Sequence, residues 1–249
     1  MEAGGFESAF EAFARTIGSD SRLRYAPTPS GYLHEGNLLN FRLNFRASRF
    51  ARPSAHILLR IDDLDAARAR TAYIRNIFDT LHAQALAWDE GPTDVADFEK
   101  NWSQQHRLPL YYELLSLLRK KGLLYACAKS RRDLEPFGGV PPEHFRQQHL
   151  DLDAPDVAWR VLTPPGFPMP DFVVRRRDGV PAYQVATIAD DLHFGVTHVI
   201  RGADLQASTQ AQQWLAEAAG LSAFAEIQFL HHPLIMGADG RKLSKSAGV

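Results

Sequence analysis

Apolar residues recur along this chain first with the period of a helix and then in short unbroken runs. Phe6, Phe10, Phe13 and Ile17 stand three or four apart, which predicts an amphipathic helix over residues 6–17. Leu23-Arg24-Tyr25-Ala26 predicts a strand entering a loop rich in Pro and Gly, and Leu38 to Arg46 a helix. Ala55 to Ile61 is nearly continuous in apolar residues, the mark of a strand buried on both faces of a parallel sheet. Residues 71–86 return to helix and are broken by Trp88 to Pro92; Leu108 to Gly122 form another, with Gly122 at its C′ position. Strand and helix thus alternate over the first 125 residues, predicting an α/β fold built on a doubly wound parallel sheet.

From Ala126 to Pro170 eight prolines interrupt any long element, which predicts a loop-rich inserted lobe. Phe172 to Arg176, a tight turn at Asp178-Gly179, and Ala182 to Ala186 read as a hairpin. Val196 to Arg201 is a further strand, and Thr209 to Ala219 a helix ended by Gly220. The expected organisation is an N-terminal helical extension (1–21), a first half-domain (22–125), the lobe (126–170) and a second half-domain (171–249). There are no internal repeats.

Composition narrows the picture only modestly. A net charge of −1 gives no global attraction to nucleic acid, so any such surface must be local. The single cysteine, Cys127, excludes an internal disulfide. Neither a signal peptide nor an apolar run of about 18 residues is present, so a cytoplasmic protein that makes no membrane contact is expected.

The chemistry is carried by two short segments at opposite ends. His34 precedes Gly36-Asn37 at a strand-to-helix turn, where an imidazole and the N–H groups of the helix start can meet phosphate oxygens. An isolated H-x-G-N is more often a solvent-facing loop. Near the other end Lys242, Ser244 and Lys245 follow Gly237-Ala238-Asp239-Gly240 and supply point charges and a hydroxyl suited to a triphosphate. Alone, that segment equally fits a basic solvated tail.

Together the two resemble the H-I-G-H and K-M-S-K-S signatures of the class I aminoacyl-tRNA synthetases. Residues 24–31 are similar to the R-F-A-P-S-P-T-G opening of the glutamyl branch, and Leu59 to Arg68 to its L-R-I-E-D-x-D-x-x-R segment. Trp88 to Pro92, Arg177 to Gln184, Ala189-Asp190-Asp191 and Gly195 to Leu205 complete a resemblance spanning residues 22–246. The wording Arg201-Gly202-Ala203-Asp204-Leu205, and the lack of an anticodon-binding half, resemble the truncated members that glutamylate queuosine in tRNA(Asp).

The resemblance implies a Rossmann-like catalytic domain, ATP with Mg2+, and glutamate as the amino acid. It implies Arg24 and Arg201 on the glutamate carboxylates, Tyr25, Ala26, Pro27 and Thr28 in the loop framing it, Asp62 at its ammonium, and Tyr183 as a hydroxyl donor. It implies His34, Gly36, Asn37, Lys242, Ser244 and Lys245 at ATP, with His34, Lys242 and Lys245 stabilising the reacting phosphate. Asp62 stands where the family usually has Glu, one methylene longer.

Many queuosine-type relatives hold zinc in the inserted lobe through C-x-C, a tyrosine and a later cysteine. Here Cys127 keeps the first position, while Lys129, Pro141 and Phe145 replace the others, so no structural zinc is expected. His144, His149 and Asp151 are the alternative donors nearby. The expected partners are glutamate, ATP and the anticodon arm of tRNA(Asp), met by a monomer. Two alternatives stay open: a ligase with another acceptor, such as the tRNA 3′ end, and a non-catalytic paralogue that binds tRNA or ATP.

Overall fold

The computed structural model describes residues 3–50, 53–146 and 149–235. The longer helices are α1 (Ala3–Ala14), α2 (Glu35–Ser48), α3 (Thr71–Ala83), α4 (Leu108–Lys120), α5 (Tyr183–His193) and α6 (Gln206–Ala219). The strands are β1 (Arg22–Tyr25), β2 (His56–Leu59), β3 (Leu124–Cys127), β4 (Ala158–Val161), β5 (Val173–Arg175), β6 (His198–Gly202) and β7 (Gln228–His232). They fall into two compact units. One takes the described residues up to Arg107, His193–Gln206 and those from Glu226 onward; the other takes Leu108–Leu192 and Ala207–Ala225.

The first unit is parallel α/β. β1 pairs with β2, and β6 with β7, both parallel. β1 also lies beside β6: the Thr197 N–H bonds the Arg22 carbonyl at 2.9 Å and the Thr197 hydroxyl accepts from the Arg22 N–H, so both strands start level. Ile57, Leu59 and Ile61 share one side of an extended chain and bury it against Ile74, Ile77, Phe78 and Leu81 of α3. Phe10, Phe13 and Ile17 pack with Leu23, Leu43, Ala47 and Ile200, so the N-terminal helix is part of the core. The helix α2 gives Leu38 and Phe41 to one cluster and Leu43 and Ala47 to the other.

Trp88 to Pro92, read as a helix breaker, is an edge of this sheet. Ile57 donates to the Asp89 carboxylate and Leu59 to the Glu90 carbonyl, both at 2.8 Å, and Arg22 pairs with Glu90. Gly91 sits at φ +122°, and a Cβ there would overlap the carbonyl oxygen of Leu59. Only glycine fits.

The second unit contains an antiparallel sheet in the order β3-β4-β5. β4 lies inside the segment read as loop-rich; all four of its residues, Arg160 among them, are buried. Asp171, wholly buried, gathers this region: Tyr125 donates to it at 2.6 Å, the Thr163 N–H at 3.2 Å, and Arg146 pairs with it at 2.6 Å. Burial, and next the Asp171 carboxylate, push the Tyr125 phenol well above its ordinary range.

The hairpin expected over 172–186 is half corrected. β5 and the turn at Gly179 (φ +86°) form, but the returning chain pairs only at Arg175–Pro181 before α5 begins at Tyr183. Gln184 through Ile188 are all buried, as are Asp190 and Asp191. The run read as the returning strand, Ala182 to Ala186, is too short to separate a helix from a strand. Asp190 within it accepts from Tyr111 of α4 at 2.8 Å. Elsewhere the predicted ends move by a few residues: α1 ends at Ala14 and α3 at Ala83, while Gly122 (φ +68°) closes α4 as expected.

Candidate functional site

The segments that follow β1 and β2 hold the candidate site, because the ladder between them outlasts the strands. Arg60 donates its N–H to the Tyr25 carbonyl and Asp62 its N–H to the Pro27 carbonyl, each at 2.9 Å. Residues 60–62 therefore stay extended beside 25–27, and Thr28 meets Asp62 in the lining of a small cleft of about 50 Å³ that also includes Ser30, Asp63, Asp65 and Arg68. Asp62 is buried and held by Arg60, with Nε 2.7 Å from Oδ1 and Nη2 3.1 Å from Oδ2. Asp63, beside it, accepts from the Ser103 hydroxyl at 2.5 Å and the Gln104 N–H at 2.7 Å. Burial pushes the Asp63 carboxyl above its ordinary value, against those two bonds.

Arg24 lies in β1 and Arg201 in β6, both almost wholly buried. Because the two strands start level, both guanidiniums belong near the carboxyl ends of neighbouring strands, where open α/β sheets bind ligands. Arg201 lies over the Phe229 ring at 4.8 Å. Asn40 of α2 donates to the Ile200 carbonyl at 2.8 Å, tying that helix to the strand. A Cβ at Gly202 would come within 2.5 Å of the Asp204 carboxylate, which would have to turn aside.

His34 is the N-cap of α2. Its Nδ1 accepts from the Gly36 N–H at 3.0 Å, while the Asn37 side chain accepts from the His34 N–H at 3.2 Å. An accepting Nδ1 fixes the neutral tautomer and leaves Nε2 as the N–H donor. Gly36 makes room: a Cβ there would stand 2.8 Å from His34 Cε1. The segment His34-x-Gly36-Asn37 is thus a cap as well as a donor at a helix start, where the dipole favours anions.

Other sequence-named residues fall differently. Tyr25 turns its ring into the core, 5.2 Å from Phe41, and gives its hydroxyl to the Ala87 carbonyl, so its side chain points away from the loop that follows β1. Burial pushes that phenol upward. Pro27 is buried, Ala26 half-buried and Thr28 exposed. Tyr183, on the second unit, opens α5 and is 41% exposed; beside it Gln184 is buried and donates to the Ser208 hydroxyl at 3.2 Å. Lys242, Ser244 and Lys245 lie outside the described residues. Arg60, Asn40, Ser103 and Gln104 were not foreseen; only Arg60, two residues from Asp62 in an extended run, carried a readable signal.

A family model for tRNA synthetases class I (E and Q), catalytic domain, matches residues 21–138 and 154–248. The chain belongs to this family. It is 38% identical over 238 residues to the glutamyl-Q tRNA(Asp) synthetase of Pseudomonas paraeruginosa, covering 90% of this chain and 76% of that one. With the glutamyl-Q tRNA(Asp) synthetase of a Synechococcus species it shares 39% over 242 residues, covering 93% and 76%. Among solved structures it is similar to the glutamate-tRNA synthetase of Elizabethkingia anophelis, with a TM-score of 0.71 and 23% identity over 91% of this chain. The likeness to that structure is one of fold, and the chain spans about half its length (52%).

In this class I synthetase the side chains at the start of the inserted lobe pack on one another. Cys127 is buried in β3, Lys129 lies 4.7 Å from the Phe145 ring centre, and His144 and Phe137 pack on the same ring. Among the described residues no three His, Cys, Asp or Glu are grouped to hold a metal, and no helix is long and apolar enough to cross a membrane.

Proposed function

We propose that this synthetase-family chain activates glutamate with ATP and passes the glutamyl group to queuosine in tRNA(Asp). A glutamate α-carboxylate oxygen attacks the α-phosphorus of ATP, the bond to the β-phosphate oxygen breaks, and pyrophosphate leaves glutamyl-adenylate. A hydroxyl of the queuosine ring then attacks the activated carbonyl, AMP departs, the hydroxyl proton is lost and an ester forms. The observation that carries the amino-acid assignment is the pair of buried arginines, Arg24 and Arg201, in the same unit as the buried carboxylate of Asp62. An amino acid with an acidic side chain offers two carboxylates and one ammonium, and these residues are its complement.

Arg24 and Arg201 bind the carboxylates, and Asp62 with the Thr28 hydroxyl meets the ammonium. Ala26, Pro27 and the backbone of Tyr25 frame the loop. The His34 Nε2–H and the start of α2 with Gly36 and Asn37 suit phosphate oxygens, and Lys242, Ser244 and Lys245 add charge and a donor. Mg2+ brought with ATP neutralises phosphate charge. No side chain acts as a nucleophile, so the rate comes from positioning and preorganised charge. The glutamyl-Q relatives support queuosine as acceptor, and the protein works as a cytoplasmic monomer.

Glutamate-dependent exchange of pyrophosphate into ATP tests the first half; no exchange with any amino acid, with or without tRNA, refutes it. Transfer to tRNA(Asp) with and without queuosine, before and after periodate, locates the acceptor. Lys245→Ala lowers adenylate formation at least about tenfold, roughly 1.4 kcal/mol of transition-state stabilisation; an unchanged rate removes Lys245 from the site.

A further inference from the structure

Arg60 has no role in the chemistry above, yet it is 3% exposed and meets Asp62 edge-on through two bonds, 2.7 and 3.1 Å long. The backbone imposes this fork. Residues two apart on an extended chain point to the same side, and the bonds from Arg60 to Tyr25 and from Asp62 to Pro27 keep the chain extended here. The Asp62 carboxylate is therefore fixed in plane as well as in place.

The cleft that Asp62 lines measures about 50 Å³ and presents Asp63, Asp65, Thr28 and Ser30 alongside it, with Arg68. Its wall of carboxylates and hydroxyls favours a cation. An ionised carboxylate has about four acceptor positions on its two oxygens. Arg60 occupies one edge and leaves the orientation of the others determined.

Resting on the reading that glutamate is the substrate, we propose that Arg60 is the positioning residue of the ammonium subsite. It fixes the plane in which the short Asp62 side chain meets the substrate ammonium. Through this pair it sets the preference for an α-amino acid over a plain dicarboxylate. A second possibility, that Arg60 merely dilutes the negative charge of Asp62, predicts the opposite sign on removal: a lone anion would bind the ammonium more tightly. Lysine separates the two, since it keeps the charge and loses the fork.

The experiment compares wild type, Arg60→Lys and Arg60→Met in the full chain. Glutamate and glutarate, which is glutamate without its amino group, are titrated by calorimetry, and KM for ATP is read from pyrophosphate exchange. Both variants are expected to weaken glutamate about tenfold, the scale of one charge-assisted bond, with glutarate affinity and KM for ATP held within about twofold. Glutamate affinity unchanged in Arg60→Lys, tighter in Arg60→Met, or falling in step with glutarate overturns the proposal. If Arg60→Met does not fold, Arg60→Lys decides alone. A wild type that binds glutamate but exchanges no pyrophosphate refutes the activation chemistry and leaves the Arg60 test standing; one that binds no glutamate overturns both.

Discussion

Gly36 shows how one missing side chain can serve structure and chemistry together. Adding a methyl group brings it to 2.8 Å from His34 Cε1, so the imidazole must turn away from its cap. Alanine is worth up to about 1 kcal/mol over glycine in a helix, and a lost cap costs about as much, so the two effects nearly cancel. Gly36→Ala is therefore expected to leave stability within about 1 kcal/mol while, on the role proposed for His34 at the phosphates, lowering pyrophosphate exchange about tenfold or more. Urea denaturation and exchange kinetics on the same preparation check this. A protein that loses stability but keeps its rate would place the importance of Gly36 in the fold alone. At this scale the sequence was legible wherever a residue type has few uses. A histidine before Gly-Asn marked a helix start and an arginine ended an apolar strand, and both elements form there. Tyr25 was not legible, because a tyrosine beside a ligand loop and one sealed into the core leave the same letter.

Among elements, the Trp88–Pro92 segment and α5 mark the two sides of what periodicity can reveal. The helices around β1 and β2 followed from apolar spacing, since each buries one side and exposes another, while β2 showed as an unbroken apolar run and the stop of α4 as a glycine. α5 did not show, because the run read as a strand, Ala182 to Ala186, is too short to tell the two periods apart. β4 was hidden by the prolines around it and by Arg160, a charged residue that is buried through its bond to the Asp171 carbonyl at 2.7 Å. Trp88 to Pro92 was legible as a break, but its pairing along β2 was not. Gly91→Ala tests that pairing: a Cβ pressed on the Leu59 carbonyl, at a φ that L residues avoid, is expected to cost roughly 2 kcal/mol or more. Chemical denaturation measures it, and a change below about 0.5 kcal/mol, the size of a neutral surface substitution, would mean that the edge yields freely.

Across the whole molecule, stability should depend on pH through one buried and one half-buried histidine. Burial holds the His198 imidazole below its ordinary value of 6.5, and it sits between the Thr16 and Thr197 hydroxyls at 3.1 and 2.8 Å. Burial first, then Arg201 and His232, lower His231 in the same direction, with Asp204 opposing. The unfolded chain binds these protons at higher pH than the folded one does. Their contribution is complete above pH 6.5 and is lost as pH falls from there toward the folded values, by at most about 1.4 kcal/mol per pH unit for each group. Tm is expected to drop by several degrees between pH 7.5 and 5.5, and His198→Gln, which keeps an amide for the threonines, should flatten part of that slope. A flat Tm in wild type would contradict it. The motifs at the two ends of the chain named the chemistry from sequence alone, whereas the Arg60–Asp62 fork and the bonds around Asp63 required three dimensions.

The cap at α2 bears on how such chains would age in a genome. His34, Gly36 and Asn37 bond one another, so a descendant that had abandoned catalysis would still be selected to keep all three for folding. Arg24, Asp62 and Arg201 are under the opposite pressure: buried charges are commonly replaced by apolar residues at little cost or with a gain. Decay of activity in this lineage should therefore be written first in the buried charges, while the most recognisable signature survives as a fossil of the helix it caps.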